Sequence, residues 1–193
     1  DFCLSRGLGD VYKRQSKYSF GGGLDSYYEY LVKEHQLLGG VLPQYERMFT
    51  EAMDSAEQHL WKNVTVVPHA PSLSVVVSAM GHGRSQVSLE HLACFSGGMM
   101  ALGSRIVPDR RHYLNIARMT TETCYWGYNS SLTGLGAEAL EFYHPQDKDM
   151  YRVVTEADGT RHRGPPVGDP FVGVRYIWHE DYRNRPEVIE SVL

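Results

Sequence analysis

The sequence predicts an all-α fold class, with short strands confined to the connections between helices. Three observations lead there. Apolar residues recur at helical spacing in four long stretches. A β-like, valine-rich pattern is concentrated between about residues 63 and 80. Residues 129–175 are punctuated by Pro145, Asp158-Gly159 and Pro165-Pro166 and read mostly as loop. With 193 residues, 42% of them hydrophobic, the chain is long enough for one sizeable core and one domain.

In chain order, residues 1–15 (DFCLSRGLGDVYKRQ) show no period and resemble translated adapter sequence at the ends of assembled fragments. They are set apart as a non-native or disordered leader, taking Cys3 with them, and the domain is read over 16–193. Gly21-Gly22-Gly23 forms a turn. A helix over about 24–38 follows, with Tyr27, Tyr30, Leu31 and Leu38 at helical spacing and Gly39-Gly40 ending it. Pro43 opens a helix over about 43–61, striped by Tyr45, Met48, Phe49, Ala52, Ala56 and Leu60. Val64, Val66 and Val67, then Leu73 and Val75-Val76-Val77, predict two strands around His69-Ala70-Pro71-Ser72. Gly81-His82-Gly83 breaks that pattern.

A helix over about 89–105 carries Leu92, Phe95, Met99 and Leu102 on one side. Gly97-Gly98 inside it costs about 1 kcal/mol per glycine against alanine, which predicts close packing or a local break. Asp109 is read as the cap of a helix over about 110–127, striped by Tyr113, Ile116, Ala117, Thr120 and Cys124. Tyr151–Thr155 and the segment after Gly159 suggest a hairpin. A last helix begins near Arg185, with Pro186 suited to its first turn.

Composition narrows the function classes. The net charge of −4 leaves no basic footprint, so nucleic acid is not an expected partner. No run approaches the roughly 18 apolar residues of a membrane span. There is no G-x-S-x-G elbow for a serine hydrolase. Gly134-Leu135-Gly136-Ala137-Glu138-Ala139 fits a relaxed dinucleotide pattern, but Tyr128–Ser131 precedes it where a buried strand is required. His82, Glu90 and His91 match no zinc spacing and read as loop and helix-start residues.

Asp25, Glu138, Glu187 and Glu190 are either unrelated surface carboxylates or an acidic site of the glycosidase type. Such a site needs a water-activating base carboxylate roughly 6.5–9.5 Å from an acid if it inverts. Glu187 and Glu190 share a helical face. Cys94 and Cys124 fall on adjacent predicted helices, 30 residues apart; a bridge and a pair of buried thiols both satisfy that placement. The sequons Asn63-Val64-Thr65 and Asn129-Ser130-Ser131 allow a lumenal or extracellular setting.

Four segments, in order over about 20–193, resemble the class I α-1,2-mannosidases of glycoside hydrolase family forty-seven. Gly23–Leu31 (GLDSYYEYL) resembles that family's G-x-x-DSYYEYL segment, and His91–Met99 (HLACFSGGM) its HLACFAGGM helix. Thr133–Glu138 (TGLGAE) resembles TGLGPE, with Ala137 in place of proline, and Arg185–Ser191 (RPEVIES) resembles RPE-x-x-ES.

The resemblance implies an (α/α)7 barrel with a calcium ion at its base. It implies inverting hydrolysis of terminal α-1,2-linked mannose from high-mannose N-glycans. In that picture Glu187 is the general base, Asp25 an essential carboxylate near the scissile bond and Glu138 a further active-site carboxylate. Arg185 and Glu190 contact the terminal mannose, and Cys94 and Cys124 match a disulfide common in the family. The family's upstream E-T-x-I-R-type glutamate has no counterpart, nor has the downstream threonine that holds calcium, so no metal ligand is expected within the chain. The chain is therefore expected to be a fragment of the catalytic domain, lacking both ends and poorly active by itself.

The expected setting is the secretory pathway lumen, in the endoplasmic reticulum or Golgi, or secretion. The expected state is a monomer, and the parent protein is allowed a membrane anchor. The alternative is a mannose-binding quality-control protein on the same barrel. That branch generally lacks the cysteine pattern, so the two cysteines favour the trimming enzyme.

Overall fold

A computed structural model of the chain describes residues 17–65, 72–80, 85–131, 133–142, 153–155, 158–159, 161–163, 174–178 and 183–193. Residues 1–15, the segment His69–Pro71 and Gly81-His82-Gly83 lie outside the described residues.

The main helices are α1 (Asp25–Leu37), α2 (Pro43–His59), α3 (Phe95–Ile106) and α4 (Tyr113–Asn129), with a six-residue α5 (Glu187–Val192). The strands are short: β1 (Lys17–Tyr18), β2 (Trp61–Thr65), β3 (Ser72–Val76), β4 (Ser78–Met80), β5 (Ser85–Gln86) and β6 (Ser88–Glu90). After α4 come β7 (Ala139–Phe142), β8 (Val153–Thr155), β9 (Arg161–Arg163) and β10 (Val174–Trp178). The fold is thus mainly helical with small sheets, as the class predicted.

Two helix pairs build the core. α1 packs on α2, α3 packs on α4, and α1 lies across α3. Phe20, fully buried just before α1, joins these layers. Its ring sits 5.0 Å from Tyr28, 5.2 Å from Trp61 and 6.3 Å from Phe95, so one aromatic side chain ties α1, β2 and α3 together. The Trp61 indole N–H, buried with it, donates to Thr120 Oγ1 of α4 at 2.9 Å, satisfying a polar group that would be costly to leave unpaired. The α2 stripe lies where the periodicity put it, with Phe49, Ala52, Ala56 and Leu60 buried.

Four sequence expectations need correction. The buried face of α1 is Tyr28, Leu31, Val32 and His35, whereas Tyr27 and Tyr30 are 43% and 56% exposed. The stripe was read out of phase because Phe20, from the preceding turn, selects Tyr28 as its partner. The helix about 89–105 begins later: Ser88–Glu90 is a strand and His91–Cys94 a 3₁₀ turn before α3. Asp109 is not a cap. It takes a left-handed conformation (φ 57°), and α4 starts four residues on, after single turns closed by Arg110, Arg111 and His112 carbonyls. Arg110 is drawn away to Asp54 of α2, with Nε at 3.1 Å and a terminal nitrogen at 2.8 Å.

The fourth correction concerns 129–175. It holds β7 as well as the predicted β8–β9 pair, in which Val153 faces Arg163 and Thr155 faces Arg161. β7 is the centre of an antiparallel sheet ordered β10-β7-β6. The small sheets are therefore not all hairpins. β2–β3 pairs local neighbours, but β6, β7 and β10 come from three distant parts of the chain.

Gly39 and Gly40 end α1 with positive φ (61° and 75°), as the sequence indicated.

Candidate active site

Two structural devices bring the sequence-predicted residues together. The first is the β6–β7 ladder. Its register sets Glu90 against Ala139, and one step on the His91 N–H donates to the Glu138 carbonyl at 2.8 Å. Glu138 and His91 are thereby fixed side by side although 47 positions separate them. The second is the packing of α5 onto α3, α4 and the 3₁₀ turn. A helix of six residues does not hold itself in water, so tertiary contacts must place it. Val188 supplies buried apolar contact, and the glycine pair of α3 supplies room: a Cβ on Gly98 would sit 3.1 Å from the Glu190 carbonyl oxygen. Close packing, not a break, is what Gly97-Gly98 serves.

The result is a group of five side chains, in which Glu187, His91 and Tyr128 form one set and Arg185 and Glu138 another, joined through the His91–Glu138 backbone bond. Glu187 Oε2 lies 3.3 Å from His91 Nδ1; both atoms are buried and neither has an aligned hydrogen-bond partner. His91 Nε2 meets the Tyr128 hydroxyl at 2.5 Å. Arg185 Nε donates to both Glu138 oxygens, at 2.8 and 2.7 Å. Of the residues singled out by sequence, Glu138, Arg185 and Glu187 thus fall in one place.

Asp25 is not in that group. It stands half-buried in the first turn of α1, where its Oδ1 accepts from Ser26 N–H at 2.9 Å. Its approach loop nevertheless rests on the residues flanking His91. A Cβ on Gly21 would collide with the Glu90 carboxylate at 1.9 Å, and one on Gly22 would meet Leu92 at 3.3 Å. Glu190 points to α1, where Lys33 donates to it at 2.7 Å and also to Glu29. Burial pulls the Lys33 ammonium down, but the bonds to Glu190 and Glu29 outweigh it and leave its pKa raised.

Three participants were missed in the sequence: His91 as the neighbour of Glu187, Tyr128 as the neighbour of His91, and Lys33 as the partner of Glu190. Lys33 and Glu29 carried a signal, being an i, i+4 pair on α1. His91 and Tyr128 carried none, since their meeting depends on α4 packing beside the 3₁₀ turn. Cys94 and Cys124 are joined in a disulfide, Cα to Cα 6.0 Å, which ties that turn to α4.

Burial holds the His91 pKa below its ordinary value; Glu187 and Glu138 pull it up, Arg185 pushes it down, and burial prevails. As pH falls through about 6.5 the unfolded chain takes up a proton that folded His91 refuses. The stability due to neutral His91 is therefore present above that range and lost as pH falls. Denaturant midpoints measured from pH 7.5 to 5 are expected to fall less steeply in His91→Asn than in the parent sequence; equal slopes contradict this.

Among the described residues the one grouping of metal-type ligands is Asp54, Glu57 and His112 on α2 and the turn before α4. Asp54 there is already bonded to Arg110 and the Tyr113 hydroxyl. Of the three residues read as an unlikely zinc set, His82 is outside the described residues and His91 is engaged by Tyr128 and Glu187.

The chain matches the family described as Glycosyl hydrolase family 47 over residues 9–193. It is 37% identical over 130 residues to Mannosyl-oligosaccharide 1,2-alpha-mannosidase IC of Homo sapiens, covering 66% of this chain and 20% of that protein. It is 30% identical over 173 residues to Probable mannosyl-oligosaccharide alpha-1,2-mannosidase 1B of Aspergillus niger, covering 90% of this chain and 30% of that one. The solved alpha-1,2-mannosidase from Trichoderma reesei superposes with a TM-score of 0.70 at 23% identity, over 92% of this chain and 34% of that chain. That likeness speaks to the fold. The chain spans between a fifth and about a third of the length of these relatives.

Proposed function

The chain belongs to glycosyl hydrolase family 47, and from that premise we propose that its full-length parent removes terminal α-1,2-linked mannose from high-mannose N-glycans with inversion. The observation that carries the reading is the setting of Glu187. Its carboxylate is aimed at a neutral, buried imidazole beside an Arg185–Glu138 pair, on a helix packed against the core.

In this reading Glu187 takes a proton from water. His91 steadies its carboxylate and is itself held by Tyr128. A neutral imidazole puts no positive charge beside Glu187. Arg185 spends its Nε–H on Glu138 and offers its terminal nitrogens to sugar hydroxyls, with Glu138 orienting it. Glu190, anchored by Lys33, is a second sugar contact, and Asp25 approaches from the loop seated on Glu90 and Leu92. The acid comes from elsewhere in the parent, as do the helices that complete an (α/α)7 barrel. The TM-score of 0.70 supports the barrel.

The one candidate ligand grouping among the described residues does not fit the calcium that the family resemblance implies. Calcium takes six to eight oxygen ligands, whereas the Asp54–Glu57–His112 grouping offers a histidine nitrogen and an aspartate already paired with arginine. No step is derived through the ion, and its ligands are assigned to other parts of the parent. Chelation is accordingly expected to abolish mannose release by the parent while leaving the melting temperature of the 193-residue chain unchanged. A chelator-dependent melting shift in the chain would contradict that assignment.

The disulfide favours an oxidising compartment, the secretory pathway lumen or the exterior. It also favours the trimming enzyme over a mannose-binding relative on the same scaffold. Among the described residues no helix is long and apolar enough to cross a membrane. Digestion of a linkage-defined high-mannose glycan by the parent protein tests the reading. Loss of α-1,2-linked residues alone is expected; binding without release of mannose would sink it.

A further inference from the structure

We infer that Ser191 is the positioning residue for Glu187, its hydroxyl keyed into the first backbone link of α3; the inference rests on the reading of Glu187 as the base. Ser191 lies one helical turn beyond Glu187, so the two share a face of α5. Its Oγ accepts from the Gly98 N–H at 2.9 Å and donates to the Cys94 carbonyl. These two groups are four residues apart at the start of α3, the pair that closes the first ring of a regular α-helix. The hydroxyl thus adds a second partner to both the donor and the acceptor of that first ring.

The seat is shaped for it. A Cβ on Gly97 would stand 3.0 Å from the Ser191 Cβ and 2.4 Å from Thr121 Oγ1. A Cβ on Gly98 would stand 3.3 Å from the Ser191 Cα. A side chain at Gly98 would press on the backbone of α5, and one at Gly97 on Thr121 of α4 and on Ser191. The acceptor end is anchored in turn, because Cys94 is bridged to Cys124 of α4. Cys94 and His91 belong to the same 3₁₀ turn. One four-residue turn therefore supplies both the anchor for Ser191 and the imidazole facing Glu187. The serine sets the axial position of α5, and with it the reach of Glu187 toward His91.

Ser191→Ala in the full-length protein tests this. The Gly98 N–H and Cys94 carbonyl keep their place in the first ring of α3, so α3 keeps its bonding and the variant is expected to fold. α5 loses its register. A misplacement near 1 Å costs about a hundredfold, so kcat is expected to fall roughly 10- to 100-fold with KM changed less than about twofold. Added to Glu187→Gln, Ser191→Ala is expected to cost nothing more, because it acts through that carboxylate.

A readout independent of turnover is the titration of His91 by NMR. The groups facing that ring are Glu187, Glu138, Arg185 and Tyr128. If Ser191→Ala lets the Glu187 charge recede, the His91 pKa moves further down. An unchanged kcat in an active parent, a multiplicative loss in the double variant, or an unmoved His91 titration each overturns the inference. Absence of mannose release by the unsubstituted parent instead overturns the reading of Glu187 on which it rests.

Discussion

Glu187→Gln is expected to lower kcat of the full-length protein on a high-mannose glycan by about a hundred- to ten-thousandfold, the range general base catalysis supplies. The substitution keeps the side-chain shape, so Val188 stays buried and α5 stays seated. What it removes is the charge that accepts a proton. The amide also faces the His91 Nδ1 atom 3.3 Å away, where the carboxylate stood. KM is expected to change little, since sugar contacts are assigned to Arg185 and Glu190. Steady-state kinetics on a linkage-defined glycan decide the matter. A variant retaining more than about a tenth of wild-type turnover would remove Glu187 from the base role, because a base worth less than tenfold lies below that range.

Breaking the Cys94–Cys124 bridge is the second large effect. The bridge closes a 30-residue separation, for which loop entropy predicts about 3–4 kcal/mol. For a chain of this size each kcal/mol moves the melting temperature by about 2–4 °C, so a loss of roughly 6–16 °C is expected for Cys94→Ala/Cys124→Ala. The damage should extend beyond stability. Cys94 belongs to the turn that carries His91, and its carbonyl receives the Ser191 hydroxyl. Reduction should therefore loosen α5 before the chain melts. Thermal denaturation with and without reductant measures the first effect, and proteolysis near 183–193 the second. A melting shift under about 2 °C would mean that the packing of α3 on α4 holds this region without the bridge.

What could be read in the sequence was set by local periodicity. The α2 stripe is strongly amphipathic and needed no tertiary information. Gly97-Gly98 signalled close packing or a local break, and the contact with α5 selects the first. The phase of α1 was lost because tyrosines at 27, 28 and 30 satisfy two adjacent faces, and only Phe20 chooses between them. The β6–β7–β10 sheet was invisible for a different reason. Each strand is three to five residues long, too short for an alternation signal, and its partners are distant in sequence. Since that sheet is what sets Glu138 beside His91, half of the site's geometry was unreadable even though Glu138 itself was found. Lys33 could not be matched to Glu190 from the sequence, because 157 positions separate them and their meeting depends on where α5 is placed.

We propose that this chain supplies the water-activating carboxylate of an inverting α-1,2-mannosidase. Time-resolved proton NMR of the anomeric region, recorded as the full-length protein digests a high-mannose glycan, tests it most directly. Water activated by Glu187 on the face opposite the leaving group must give β-mannose first, with the α-anomer appearing only as mutarotation proceeds, and Glu187→Gln must suppress the β signal. Initial release of α-mannose, or a β signal undiminished by Glu187→Gln, would contradict the account.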